Sequence, residues 1–539
     1  MKPVTKCCIL GLILDNKLSW DGHIEHIEAK TTKSLGALSS LAGSTWGTSY
    51  KGLRQIYQGM ILPQITYGAS AWYAPVDPNG NYRDKAVRKL EAIQRRAAKV
   101  ITGAFKTVSG PALDVEAFLL PLRQHLNKIT AETYLRIYTT PLYQNLTRIG
   151  REGTWRGFHD DWHSLHGRWG PLERHRHRIE TVLGQGAVAN LELRKPFLTP
   201  VWWEPPEICI LDNAESARAR HDQILAKDTG LVIYTDGSAV NGKVGAAAIQ
   251  YCTSAKRQMF LGRTPEANVF LAELLAIDMA LKLAQSQARK DITIFSDSQA
   301  AIRAIGGSQM SGQQILNGIF DSWAELRRQE ARVAVYWIPA HQGIPGNELA
   351  DQAAKEATGW RLIQNARRRN IQVDTDATAP RLVGLKQPLS TFRGRLKAHA
   401  YEKWELSWQR ETRGRTLFRT AEKPLKEIIK IHAKLARPLS SILTQMRTGN
   451  IGLRHFLYRR GVPEVEDGEC QCQQGEQTVQ HVMLSCSRFR AARNTLWTDG
   501  TWTTDLRQIL SKERYAARAA RFMLETKLLG QFWSIDWDN

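Results

Sequence analysis

Cysteine is scarce in this chain: there are seven in 539 residues, an odd count, with Cys7 and Cys8 adjacent. That usage excludes a disulfide framework and suits a reducing, intracellular protein. Long apolar runs are missing too, so no membrane span is expected. The opening MKPVTKCCILGLILDNKLSW holds a short apolar stretch. Asp15 and Lys17 follow at once without a small-residue cleavage site, which argues against a secretory leader. Acidic residues are in deficit, with 52 Asp and Glu facing 74 Lys and Arg for a net charge of +22. So large a positive surplus repels itself and fits a polyanionic partner, of which nucleic acid is the commonest.

The length suggests three or four folding units, and 42% hydrophobic residues is enough to build several cores. Residues 1–145 read as mainly helical. Within them DKAVRKLEAIQRRAAKVITG spaces Val87, Leu90, Ile93 and Ala97 as one helix face, ends at Gly103, and carries Arg88, Lys89, Arg95, Arg96 and Lys99 outward. Residues 146–227 have no clear period and read as a connector; the histidines at 159, 163, 166, 175 and 177 lie there. Residues 228–360 alternate strand and helix patterns. Residues 361–395 read as a linker, and 396–539 as a basic, helical tail.

Two segments of the central region are near copies. LVIYTD (231–236) and ITIFSD (292–297) are each an apolar run, an aromatic, a small hydroxyl residue and an aspartate. A loop or helix signal follows each: GSAVNG after the first and SQAAIRAI after the second. If the two strands pair in parallel, Asp236 and Asp297 stand at the same height, roughly 4.8 Å apart. Carboxylates that close must share a proton or hold a cation, and hard divalent ions such as Mg²⁺ or Mn²⁺ suit oxygen ligands. Glu273 falls on the predicted amphipathic helix ANVFLAELLAIDMALKLA, whose cap is Asn268 and whose core face is Phe270, Leu274, Ile277 and Leu281. Asp351 falls early in a helix for which Asn347 is the expected N-cap. His341 sits just before it in the Gly/Pro-rich loop of WIPAHQGIPG.

YTDGSA, AEL, FSDS and WIPAHQGIPGNELAD occur in the order and spacing of the type 1 ribonuclease H family, which the central region resembles along its whole length. The resemblance implies a ribonuclease H-like α/β fold, with a mixed five-stranded sheet flanked by helices. It implies cleavage of the RNA strand of RNA–DNA hybrids by two metal ions. Asp236 and Asp297 would hold the ion that activates water. Asp236, Glu273 and Asp351 would hold the ion at the leaving oxygen, and His341 would assist proton transfer or product release. Gly237, Ser238, Asn268 and Gln299 would probe the 2′-hydroxyl that marks RNA. Two other readings of the same residues are a module that binds hybrid without cutting and a transposase- or integrase-like nuclease.

The flanks resemble parts of non-long-terminal-repeat retrotransposon polyproteins. LGLILDNKLSWDGHI, LRQIYQGMILPQITYGASAW and RRAAKVITGAF resemble the end of the reverse transcriptase and its thumb. No polymerase site is expected, because FHDD (158–161) follows that region instead of preceding it. Near the other end, Cys470, Cys472, His481 and Cys486 resemble the Cys/His segment of related retroelements. Three thiolates and one imidazole suit tetrahedral Zn²⁺.

Overall fold

In the computed structural model, described residues are 5–17, 19–73, 84–145, 179–199, 203–227, 230–253, 255–264, 266–287, 289–307, 311–360, 379–494, 496 and 503–535. The histidine-rich stretch and the FHDD motif of 146–178 lie outside them. The chain divides into two compact units. One comprises 1–130, 170–175 and 398–539, and the other 131–169 and 176–397. No helix among the described residues is long and apolar enough to cross a membrane.

The first unit is helical, apart from a small hairpin of Lys6–Ile9 and Leu12–Asp15. Helix Asp84–Thr102 forms where the periodicity places it. Val87, Leu90, Ile93 and Ala97 are buried, and Gly103 closes it with φ +68°. The sequence pattern separates 1–145 from 396–539, yet residues of both ends share one core, with Trp72 and Leu90 in the same cluster as Trp408 and Phe522. Buried charge ties them together. Arg447 donates through Nε to the Glu116 carboxylate at 2.9 Å, and His432 approaches the same carboxylate at 3.3 Å. Arg437 donates to the carbonyls of Ile101 and Gly43. Pairings across more than three hundred residues leave no trace in local periodicity.

The second unit is built on one mixed sheet. Its strands are β1 (Glu207–Cys209), β2 (Leu231–Val240), β3 (Lys243–Gln250), β4 (Lys256–Arg263), β5 (Asp291–Ser296) and β6 (Arg332–Trp337). Their order across the sheet is β1-β6-β5-β2-β3-β4. β1, β6, β5 and β2 pair in parallel, and β2, β3 and β4 pair antiparallel. The five expected strands are present, and the sixth, β1, comes from the segment read as connector. Helix α1 (Ala214–Ala226) comes from it as well. Neither shows a strong pattern, because a three-residue edge strand is too short to carry a period and α1 buries only Ala217 and His221.

Among the described residues, helices around this sheet include α2 (Val269–Gln285), α3 (Gln299–Gly306), α4 (Gln313–Arg328) and α5 (Pro345–Ala357). β2 does not stop at Asp236. It runs on to Val240 and turns into β3 at Asn241 and Gly242, whose φ values of +52° and +74° suit a tight hairpin. GSAVNG is therefore strand and turn together, not a loop. α2 is not amphipathic either. Every residue from Leu271 to Leu281 is buried, because the helix packs on β2 and β3 on one side and α4 on the other. Phe270, expected in its core stripe, is only partly buried.

Candidate active site

The register of β2 and β5 positions the first two carboxylates. Tyr234 lies opposite Phe295 and Thr235 opposite Ser296, so Asp236 and Asp297 are next in line on adjacent parallel strands. The Thr235 hydroxyl donates to the Phe295 carbonyl at 3.1 Å and ties the two strands together there. The Trp337 indole donates to the Asp297 carbonyl at 3.1 Å. Helix α2 brings the third acid. Asn268 caps it, its side chain accepting from the Leu271 amide at 3.0 Å, and Glu273 follows in the next turn. One ligand oxygen from each of Asp236, Glu273 and Asp297 lies within 4.8 Å of the others.

Gly237 permits this approach. A β-carbon there would stand 2.5 Å from the Glu273 amide nitrogen and 2.8 Å from the Ala272 carbonyl carbon. Helix and strand are in backbone contact, which no side chain allows. Gly237→Ala is expected to push α2 off β2, cost about 1–3 kcal/mol of stability, and separate Glu273 from Asp236. Titration with Mn²⁺ followed by calorimetry checks it. Weaker binding than in the unaltered chain is expected, and unchanged affinity would rule the geometric role out.

The three acids disfavour one another's charge. Burial, and after it the charges of Asp297 and Asp351, push the Asp236 carboxyl up to about 7; Lys355 and the Gly237 amide oppose this. Burial, then Asp236 and Asp297, push Glu273 up to about 10. Asp297 is also raised, mainly by burial, with the Asn347 amide and His341 working against it. One oxygen each of Asp236 and Glu273 is buried without a hydrogen-bond partner. Crowded, desolvated oxygens with unsatisfied lone pairs fit a hard divalent cation.

The other expected residues are placed differently. Asp351 stands outside the group of three and is bonded to Lys355 at 2.5 Å, one helical turn on. Its charge still reaches Asp236 and Asp297. Asn347 is not the N-cap of α5. Ile344 takes that position, with Pro345 opening the helix, and Asn347 is buried inside, its amide donating to Asp297 Oδ2 at 3.4 Å. Pro at the first helical position was the signal for that boundary. The i, i+4 spacing of Asp351 and Lys355 was the signal for their pairing. His341 is exposed, with φ +55°. Of the expected substrate contacts, the Gly237 amide faces the carboxylates, and Asn268 is engaged as a cap. Gln299 accepts from Arg303 at 2.9 Å, and Ser238 is partly exposed on β2.

In the first unit the four expected ligands of the Cys/His cluster come together, their ligand atoms also within 4.8 Å of one another. Cys470 Sγ and Cys486 Sγ are 3.7 Å apart, and Cys472 Sγ is 3.1 Å from His481 Nε2. The sulfur separation matches the edge of a zinc tetrahedron, roughly 3.8 Å for Zn–S bonds of about 2.3 Å. The other nitrogen of His481 lies 3.2 Å from the Ser485 hydroxyl, a partner that fixes the ring. The C-x-C spacing is closed by a turn in which the Gln473 amide donates to the Cys470 carbonyl at 2.8 Å and Gln473 takes φ +59°.

A mixed sheet with helices packed against it and three acids gathered where the parallel pairing of its two central strands stops defines an α/β domain of the ribonuclease H-like fold. The ribonuclease H family matches residues 228–359. The chain is 33% identical over 138 residues to a ribonuclease H of Pseudomonas aeruginosa (strain LESB58), covering 23% of this chain and 90% of that protein. Through this domain the chain belongs to the ribonuclease H family. The chain is also 30% identical over 127 residues to a retrovirus-related Pol polyprotein from type-1 retrotransposable element R1 4 of Nasonia vitripennis. It is 36% identical over 128 residues to the Pol polyprotein of equine infectious anemia virus (strain Wyoming). Each alignment takes in 24% of this chain, but 31% of the first polyprotein and 10% of the second. The chain thus spans less than a third of the retroelement polyproteins it matches.

Proposed function

We propose that the chain hydrolyses the RNA strand of RNA–DNA hybrids, as the nuclease part of a retrotransposon polyprotein. The observation that carries this reading is the convergence of Asp236, Glu273 and Asp297 within 4.8 Å, inside a domain of the ribonuclease H family. Asp236, Glu273 and Asp297 would hold two divalent ions, with Asp351 completing the ligand set on release from Lys355. Divalent ions bound there supply Lewis-acid stabilisation of charge at phosphate and a water of lowered pKa. Asn347 orients Asp297 through its amide. Gly237 sets the depth of Glu273. His341, on its exposed loop, moves a proton or helps product leave. Gly237, Ser238, Asn268 and Gln299 would meet the RNA strand, Asn268 beside the cap and Gln299 beside the Arg303 contact that each already makes. The surplus of positive charge over the chain provides non-specific affinity for phosphate. Cys470, Cys472, His481 and Cys486 would hold a structural zinc ion, and residues 1–145 would correspond to the thumb-like region of such polyproteins.

The deciding experiment is cleavage of a hybrid labelled on both strands by the full chain, with Mg²⁺ and with EDTA. Metal-dependent cutting of the RNA strand alone is expected. A folded chain that binds hybrid and cuts neither strand, in Mg²⁺ or Mn²⁺, would leave a binding module in its place. Strand transfer on duplex DNA would point to a transposase-like enzyme.

A further inference from the structure

The loop that carries His341 is held at both ends and once in the middle. Ile338 and Ile344 bracket it and are fully buried, in a small core shared with Tyr234, Phe295, Tyr336 and Ala350. Between them the chain passes through two left-handed residues, His341 at φ +55° and Gly343 at φ +70°. A histidine in that region carries a conformational cost and stays there only if its surroundings fix it.

Helix α1 supplies the fixing contacts. Its Ala217 and His221 are buried, and Ile224 is partly buried against the same small core. His221 Nε2 is 2.8 Å from the Tyr234 hydroxyl, Nδ1 is 2.8 Å from Asp222, and the ring packs on Phe295 with centroids 4.8 Å apart. One residue round the helix from Ala217, the Arg218 guanidinium donates to the Gln342 carbonyl at 2.7 Å. That carbonyl belongs to the residue directly after His341. Helix α1 lies before residue 228, outside the part of the chain that the ribonuclease H family matches.

We propose that Arg218 is a positioning residue for His341: helix α1 clamps the Ile338–Ile344 loop and holds its histidine toward the acidic site. The proposal rests on the nuclease reading for its effect on turnover, and on the loop contact alone for its effect on mobility. Arg218 is exposed, so its replacement leaves the fold intact. In the full chain, Arg218→Ala is expected to lower kcat on a hybrid about three- to tenfold, the worth of one hydrogen bond, with KM unchanged. Arg218→Lys, which can still reach the carbonyl, recovers most of it. In a His341→Ala background the same substitution costs nothing further, because the group it positions is gone. Amide exchange of residues 340–344 rises in Arg218→Ala by a similar factor. Equal losses with and without His341, or exchange in the loop that does not change, would overturn the proposal. If the unaltered chain does not cut hybrid, the nuclease reading falls. The exchange measurement then decides the clamp: faster exchange sustains it and unchanged exchange removes it.

Discussion

Asp236→Asn is expected to lower hybrid cleavage at least about 10³-fold, since a ligand to the reacting centre contributes several kcal/mol of charge stabilisation at about 1.36 kcal/mol per tenfold. Hybrid binding should survive, because the surface lysines and arginines are untouched. The same substitution should make the metal-free protein more stable. Asp236, raised to about 7, and Glu273, raised to about 10, both lie above their unfolded values of 3.8 and 4.5. Groups shifted upward contribute fully below the unfolded value and lose that contribution as pH climbs through the folded one. The chain in EDTA should therefore melt at progressively lower temperature as pH rises from about 5 to 8, with Asp236 contributing up to about pH 7 and Glu273 throughout. Asp236→Asn should lessen that slope, leaving the share of Glu273, and raise the melting temperature at pH 8 by roughly 4–8 °C, equivalent to about 2 kcal/mol in a unit of this size. Mg²⁺ or Mn²⁺ should restore the unaltered protein and do little for the variant. Calorimetric melts across pH, with and without metal, read all of this. A variant that still cuts would remove Asp236 from the site. A melting temperature in EDTA indifferent to pH would mean the acids are better solvated than their burial implies.

The Cys/His cluster carries the second large effect. One equivalent of zinc per chain is expected by metal analysis of protein purified without chelator, and none after Cys486→Ser. Cys486 is fully buried, and the neighbouring Val482 and Met483 belong to the main helical core of the first unit. Losing the ion should therefore spread beyond the loop. Structural zinc contributes on the order of 10 kcal/mol or more in small domains, so the first unit should melt well below the unaltered protein. Exchange protection over residues 454–494 should fall with it. Absence of zinc, together with an unchanged melt in Cys486→Ser, would leave four reduced side chains that merely pack.

Much of the second unit was legible because its signals are local. Two apolar runs ending in aspartate, an Asn cap before a helix, and a Gly/Pro loop before GNELAD depend only on neighbouring residues, as strand and cap preferences do. What was misjudged lay where tertiary context overrides such signals. α2 reads as amphipathic because Glu273, Asp278 and Lys282 interrupt its apolar residues. It is nevertheless enclosed between sheet and helix, with Asp278 satisfied by Lys282 at 2.7 Å and by the Ser322 hydroxyl at 3.3 Å. Asn347 carries the composition of a cap, but Pro345 had already started the helix, which freed its amide for Asp297.

The sequence by itself determined which acids could meet and which strands would carry them, since the order of motifs and the alternation of strand and helix fix a ribonuclease H-like sheet. Only the tertiary structure decided how closely three of those acids approach, that the fourth stands outside their group, and that helix α1 reaches the His341 loop. It alone joined residues from the two ends of the chain in one core through Glu116, His432 and Arg447. The physical reason is range. Caps, turns and periodicity act over a few residues and are written in the order of side chains. Burial, carboxylate repulsion and an arginine reaching across more than one hundred residues depend on which surfaces meet, and that is settled by packing.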